Sequence, residues 1–330
     1  ATIARPEAEV RNRSSTTGNA AGLSRVASGS YRGSISASSP RPTRYPWSVP
    51  VTSVLSRPSR RGERIATRRH YLMCPPAHFA VTYAINPWMH PGVAVDVERA
   101  LAQWHTLRRT YRDLGHRVDL LDPVPGLPDM VYAANGATVV DGQVYGARFR
   151  YAERGPEADA HRDWFRAAGY ARVVEPEFVN EGEGDLLVAG GVILAGSGFR
   201  TDPRAHAEAA RVLHREVVPL ELVDPRFYHL DTALAVLDDT TIAWFPEAFS
   251  PASRGVLADR YPDAVTATAA DAAVLGLNAV SDGRHVVLPA EATDLAAALA
   301  ERGFVPVPIE MSELLKGGGG PKCCTLEVRP

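Results

Sequence analysis

From residue 69 onward the sequence repeats one arrangement four times: an apolar strand, a tight turn, a second apolar strand, a helix and a further strand. The hairpins fall over 137–145 around Asp141-Gly142, 186–194 around Gly190-Gly191, 233–243 around Asp238-Asp239, and 278–288 around Asp282-Gly283. Asp-Gly and Gly-Gly between apolar runs are strong hairpin signals because they tolerate the positive φ that a two-residue turn demands; Asp-Asp is weaker. Helices are expected near 157–168, 203–215, 251–260 and 293–302. A fifth unit would be closed by the two chain ends: a strand over 79–84, a helix over 93–114 and a final strand over 324–329. In that helix Val97, Leu101, Trp104, Leu107, Tyr111 and Leu114 recur at helical spacing, and Gly115 stands where a C-terminal cap belongs. These aromatic residues therefore read as core. A period of about 50 residues predicts an α/β fold of five pseudo-symmetric modules closed as an α/β propeller.

The rest of the composition narrows the function. The 330 residues are 45% apolar with a formal charge of −2, which argues for neither nucleic acid nor an anionic membrane as partner. No apolar run is long enough to cross a bilayer. Three cysteines, two of them adjacent, make no disulfide framework and point to a reducing cytoplasm. Residues 1–65 are rich in Ser, Arg and Ala, and read as a disordered extension ahead of a single domain over 66–330. No paired Cys or His spacing suggests a metal, so neither metal nor cofactor is expected. Oligomeric state, including a homo-oligomer, is left open.

Polar residues gather where each module's first strand begins: Asp129 and Asn135, then Glu181, Glu183 and Asp185, then His229 and Asp231, then Asn278, then Cys323. Modules related by rotation bring these positions to one axis. Cysteine with histidine is the usual pairing for covalent catalysis. Carboxylates facing the same cavity suit a planar guanidinium with its fork of N–H donors. The loop Lys316-Gly-Gly-Gly-Gly-Pro-Lys322 delivers Cys323, and its two lysines, the only ones in the chain, would favour the thiolate. The segment 77–91 reads as a lid, with Trp88 equally a packing anchor.

Pro128-Asp129-Met-Val-Tyr-Ala-Ala-Asn135, Glu181-Gly-Glu183-Gly-Asp185, Tyr228-His229-Leu-Asp231-Thr and Gly-Gly-Gly-Pro-Lys-Cys323-Cys324-Thr-Leu, in this order, resemble the guanidino-modifying pentein superfamily. The resemblance spans about residues 69–330 and is to dimethylarginine dimethylaminohydrolases, arginine dihydrolases and deiminases, and amidinotransferases. It implies a hydrolase acting on a guanidino C–N bond of arginine or methylated arginine. The product would be citrulline with amine or ammonia, or ornithine in a dihydrolase. It also implies roles: Cys323 as nucleophile, His229 as general acid and base, Asp129 holding the guanidinium, and Arg200, with Arg154 second, binding the substrate carboxylate. Glu181 is preferred as catalytic carboxylate, with Glu183 an alternative and Asp185 a substrate contact. Asn135 stands where many members carry aspartate and the dihydrolase-like branch carries asparagine. The rival classes are an amidinotransferase and a non-catalytic pentein that binds a macromolecular partner.

Overall fold

The turns read from the sequence close hairpins for the expected reason. Asp141, Gly142, Gly190 and Gly283 take positive φ values of 50°, 69°, 58° and 96°. The weaker Asp-Asp signal closes a longer loop, in which Asp238 Oδ1 accepts from Thr240 N at 2.9 Å. In this computed structural model residues 63–330 are described. The expected disordered extension lies outside the described residues but for its last three. Of these, Arg64 donates to Asp238 Oδ2 at 2.6 Å and to Arg302 O at 2.9 Å, with its guanidinium 3.4 Å from the Phe304 ring centroid.

The elements begin with β1 (His70–Met73), the helix Val97–Asp113 and β2 (Arg117–Leu120). Then come β3 (Ala137–Val140), β4 (Gln143–Gly146), the helix Glu157–Ala167 and β5 (Arg172–Val174). The third module holds β6 (Leu186–Ala189), β7 (Val192–Ser197), the helix Arg204–Leu213 and β8 (Glu216–Glu221). The fourth holds β9 (Leu234–Val236), β10 (Ile242–Trp244), the helix Pro251–Arg260 and β11 (Val265–Thr266). The fifth holds β12 (Val280–Ser281), β13 (His285–Pro289), the helix Thr293–Glu301 and β14 (Val305–Ile309), before the terminal β15 (Leu326–Glu327).

Among the described residues these strands form five three-stranded sheets, each with an antiparallel pair, a hairpin in four of them, and a parallel third strand. The chain ends complete one of them: β15 pairs antiparallel with β1, Tyr71 opposite Glu327, and β1 pairs in parallel with β2. The first strands lie innermost. β3 is buried throughout, whereas the third strands β2 and β5 have no fully buried residue. β15 packs against β3, β6 against β9 and β9 against β12.

The sequence expectation of a strand over 79–84 is corrected here. Phe79 and Val81 are buried as an alternating strand would have them, but the segment forms no ladder. Both edges of β1 are already taken, by β15 and β2, so β1 supplies the module's central strand and 79–84 becomes a loop. The helix starts at Val97, later than expected, because the Asp96 side chain accepts from Arg99 N and caps it. The terminal strand is also shorter than 324–329, since Cys324 N and Thr325 N bond back to Gly320 O and Lys322 O in a turn.

Candidate active site

The turns that lead into the first strands are linked in a closed circuit by four hydrogen bonds and one close backbone contact. Ala134 N donates to Cys323 O at 3.0 Å, and Cys323 N donates to Asn278 Oδ1 at 2.9 Å. Asn278 Nδ2 donates to Asp231 O at 3.1 Å, and His229 Nε2 meets Glu181 Oε2 at 2.8 Å. Gly182 then lies flush against the backbone of Ala134 and Ala137, where a Cβ would come within 2.8 Å of carbonyl oxygens. Five turns distant in sequence thus surround one point.

Cys323 Sγ stands inside this circuit. It donates to Asp231 Oδ2 at 3.2 Å and accepts from Asn278 Nδ2 at 3.1 Å. The glycine loop permits this placement: a Cβ on Gly319 would lie 2.5 Å from the Tyr132 ring, and Gly318 has φ +92°. Cys323, His229, Glu181, Asp129 and Asp231 are at most 1% exposed. Burial, and then the Asp231 carboxylate, push the Cys323 thiol well above its ordinary pKa. The expected thiolate-favouring lysines are engaged elsewhere. Lys322 Nζ bonds Glu183 Oε2 at 2.7 Å and Thr325 O at 3.1 Å, while Lys316 Nζ bonds Glu313 Oε2 at 2.6 Å and Ala94 O at 2.9 Å. The Cys323 side chain therefore rests as a thiol.

Glu181 holds His229. Its Oε2 is shared between His229 and Arg200 Nη1 at 2.7 Å, and its Oε1 accepts from Arg150 N at 3.1 Å. Burial opposes its ionisation, but the Arg200 charge and the His229 hydrogen bond outweigh burial and hold Glu181 well below the usual carboxylate range. The other two acids of the motif turn elsewhere. Glu183 accepts from Lys322, from Arg329 Nη1 and from Glu327 N at 3.0 Å, tying the terminal strand in place. Asp185 accepts from Thr201 Oγ1 at 2.7 Å and from Leu230 N at 3.0 Å, which fixes the residue after His229.

Asp129 faces the same space. Its Oδ2 accepts from Tyr83 Oη at 2.9 Å, and Arg154 Nε stands 3.9 Å away. Arg154 is gripped by Glu157 at 3.0 and 2.8 Å and donates through Nη1 to Asn135 Oδ1 at 2.8 Å. That bond leaves Asn135 Nδ2 as the free end, beside His229 Nδ1 over Gly184. Arg200 donates its second arm to Ile85 O at 2.9 Å and lies between the rings of Tyr151 and Tyr228, 4.8 and 4.7 Å from their centroids. The segment 77–91 closes the site through Tyr83 and Ile85, with Asn86 Nδ2 on Gly317 O at 3.1 Å and Trp88 Nε1 on Arg226 O at 2.8 Å.

Four buried side-chain atoms here have no partner: Asp129 Oδ1, Asp231 Oδ1, His229 Nδ1 and Asn135 Nδ2. Two are carboxylate oxygens on either side of the site, the acceptor pattern that a bound cation with N–H donors would satisfy. Burial raises the carboxyl of Asp231 to about 6 and that of Asp129 above its ordinary value. Of the residues expected at the site, Cys323, His229, Glu181, Asp129, Asn135, Arg154 and Arg200 are brought together, while Glu183 and Asp185 support them from outside. Asp231 and Asn278 fell among the axial residues in the sequence but carried no assigned role. Their signal was position, since each starts a module as the catalytic candidates do. Tyr83 carried none, sitting in a segment that reads as a strand.

No family model matches the chain. It is 56% identical over 291 residues, 87% of this chain and 95% of the relative, to an N(G),N(G)-dimethylarginine dimethylaminohydrolase of Mycobacterium tuberculosis. It is 37% identical over 263 residues to the bifunctional arginine dihydrolase/ornithine cyclodeaminase ArgZ of Synechocystis sp., covering 78% of this chain and 37% of that one. The solved N-terminal domain of ArgZ, as a cysteine-to-serine variant bound to substrate, matches with a TM-score of 0.76 at 36% identity over 79% of this chain and 98% of that one. A dimethylarginine dimethylaminohydrolase adduct shares the fold at a TM-score of 0.65 and 18% identity. With a circuit of five turns, a cysteine bonded to Asp231 and Asn278, a histidine–glutamate pair in the same circuit, and these relatives, the chain belongs to the guanidino hydrolases of the pentein superfamily, the family of the dimethylarginine dimethylaminohydrolases and arginine dihydrolases.

Proposed function

We propose that the protein hydrolyses a guanidino C–N bond of methylated arginine or arginine, with Cys323 as nucleophile and His229 as general acid and base. The observation that carries this is the pair of unpartnered buried oxygens, Asp129 Oδ1 and Asp231 Oδ1, in the site that holds the Cys323 thiol. A guanidinium between them pairs both carboxylates and presents its central carbon to Sγ. Arg200 and Arg154 are assigned to the substrate carboxylate, and Glu183 and Asp185 to the scaffold. We further infer that the five modules ring the axis as a propeller, that residues 66–330 form one catalytic domain, and that the enzyme works in the cytoplasm, where its thiol stays reduced.

The chemistry follows from the charges. Glu181, ionised, takes the Nε2 proton of His229 as a hydrogen bond and leaves Nδ1 as acceptor. Arrival of the cationic substrate offsets the Asp231 charge that keeps the thiol protonated, and the thiol proton passes to His229. Sγ adds to the guanidinium carbon, and the C–N bond breaks as His229 returns its proton to the departing amine. Water then gives a proton to His229 and its oxygen to the carbon. The C–S bond breaks, His229 returns its proton to Sγ to restore the thiol, the new hydroxyl loses its proton to solvent, and the ureido product leaves. Asn278 Nδ2, donating to Sγ, supports the thiolate at the start and end of this cycle.

Asn135 favours a second reading, an arginine dihydrolase. Its free end is the Nδ2 donor, because Arg154 holds Oδ1. A donor there suits the ureido oxygen of citrulline, so the first product could be held for a second hydrolysis to ornithine. Product analysis with dimethylarginine and with arginine separates the two, Cys323→Ser serving as control. Citrulline plus dimethylamine from the first supports a dimethylargininase, and ornithine plus two ammonia from the second supports a dihydrolase. Absence of Cys323-dependent turnover with either overturns the proposal.

A further inference from the structure

We propose that the chain carries a second ligand site, at the opposite end of the five inner strands from Cys323, that takes a small carboxylate. A cavity of about 190 Å³ lies there. At roughly 30 Å³ per water that is space for about six waters, enough for a small organic acid. The catalytic residues precede the first strands; most of this cavity's lining lies within and beyond them, among it Leu187, Val236, Ser281 and Glu327, with Ala279, Lys322 and Thr325 at its inner end.

Its polar wall comes from β1 and β15. Tyr71 of β1 and Arg69, the residue just before that strand, both line it. Tyr71 is 1% exposed and its Oη has no partner; Arg69 Nε is buried and has none. No other side chain lining the cavity has an unpartnered buried polar atom. Both atoms can donate. Burial, and then the charge of Glu327, push the Tyr71 phenol well above its ordinary pKa, so it stays a donor. Most neighbouring charges are already matched: Glu327 Oε1 with Arg69 at 3.3 Å, Glu327 Oε2 with Arg329 at 2.9 Å, Lys322 with Glu183 at 2.7 Å and Asp238 with Arg64 at 2.6 Å, while Asp239 lines the cavity as an exposed residue. What the two buried donors, Tyr71 Oη and Arg69 Nε, lack is an acceptor, and a carboxylate supplies two in one plane.

Malonate, which has no guanidino group, is the probe, titrated by calorimetry at fixed ionic strength into the wild type, Tyr71→Phe, Arg69→Met and Arg200→Gln. The expected result is one saturable site, weakened about fivefold by Tyr71→Phe, abolished by Arg69→Met and unchanged by Arg200→Gln at the catalytic end. Tyr71→Phe removes only an unpartnered hydroxyl, so it folds and turns over substrate as the wild type does. Absence of saturable binding would mean that the cavity holds water only, and overturns the proposal. So does binding that survives Tyr71→Phe and is lost in Arg200→Gln.

Discussion

Asp231 is kept ionised at a cost. Burial without a partner for Oδ1 raises its pKa to about 6, against about 3.9 in an unfolded chain. The folded state therefore binds the extra proton between those values, and stability falls as pH rises from 4 through 6. Asp231→Asn removes the buried charge and should stabilise the fold by about 1–3 kcal/mol at pH 8, with the gain vanishing near pH 4, while abolishing turnover. Urea unfolding at the two pH values measures the first part, and a destabilised variant at pH 8 contradicts it. For the same reason kcat/KM should fall tenfold per pH unit on the acid side of about 6, where Asp231 is protonated and no longer attracts a guanidinium. A flat profile down to pH 5 would show that this carboxylate is not needed in its charged form. The sequence revealed which residue types start each module but not which oxygen is left without a partner. Glu181, Glu183 and Asp185 are alternate residues of one motif, and only the turn at Gly182 (φ +53°) decides that Glu181 meets His229 and Glu183 the terminal strand.

The short turn Gly182–Gly184 is where an element's backbone sets the chemistry. A Cβ on Gly184 would stand 2.5 Å from Asn135 Nδ2 and 3.0 Å from His229 Nδ1. Asn135 cannot yield freely, because Arg154 and behind it Glu157 hold the other end of its amide. Gly184→Ala should therefore cost about 1–3 kcal/mol of stability and lower kcat/KM about a hundredfold by moving His229. Gly191→Ala, in a hairpin turn with nothing within 4 Å, should change neither. Kinetics and melting of the two variants test this, and equal behaviour would refute it. Hairpins were readable in the sequence because Asp-Gly and Gly-Gly encode their φ angles locally. The strand at 79–84 was misread because its alternation is real while the pairing edge it would need is filled by the two chain ends, and that information is not local.

For the whole molecule, closure depends on what holds β15, a strand of two residues. Two residue pairings to β1 are a weak joint for a strand that ties the last module to the first. Glu183 reinforces it from the third module, accepting from Lys322, Glu327 N and Arg329 at once. Burial opposes its charge, but the Arg329 and Lys322 cations outweigh burial and hold its pKa below the usual value. It contributes stability above the unfolded carboxylate range that is lost as pH falls through its folded value. Glu183→Gln leaves two half-buried cations facing a neutral amide and should cost about 3 kcal/mol, with Cys323 displaced because Lys322 is its neighbour. Glu181→Gln should do the reverse, losing turnover while retaining more of the fold, since Arg200 keeps its bond to Ile85 O and its two flanking rings. Unfolding free energy and single-turnover rate of the two variants, measured side by side, assign the acids. If Glu183→Gln melts as the wild type does and Glu181→Gln does not, the third module is not what holds β15 in place.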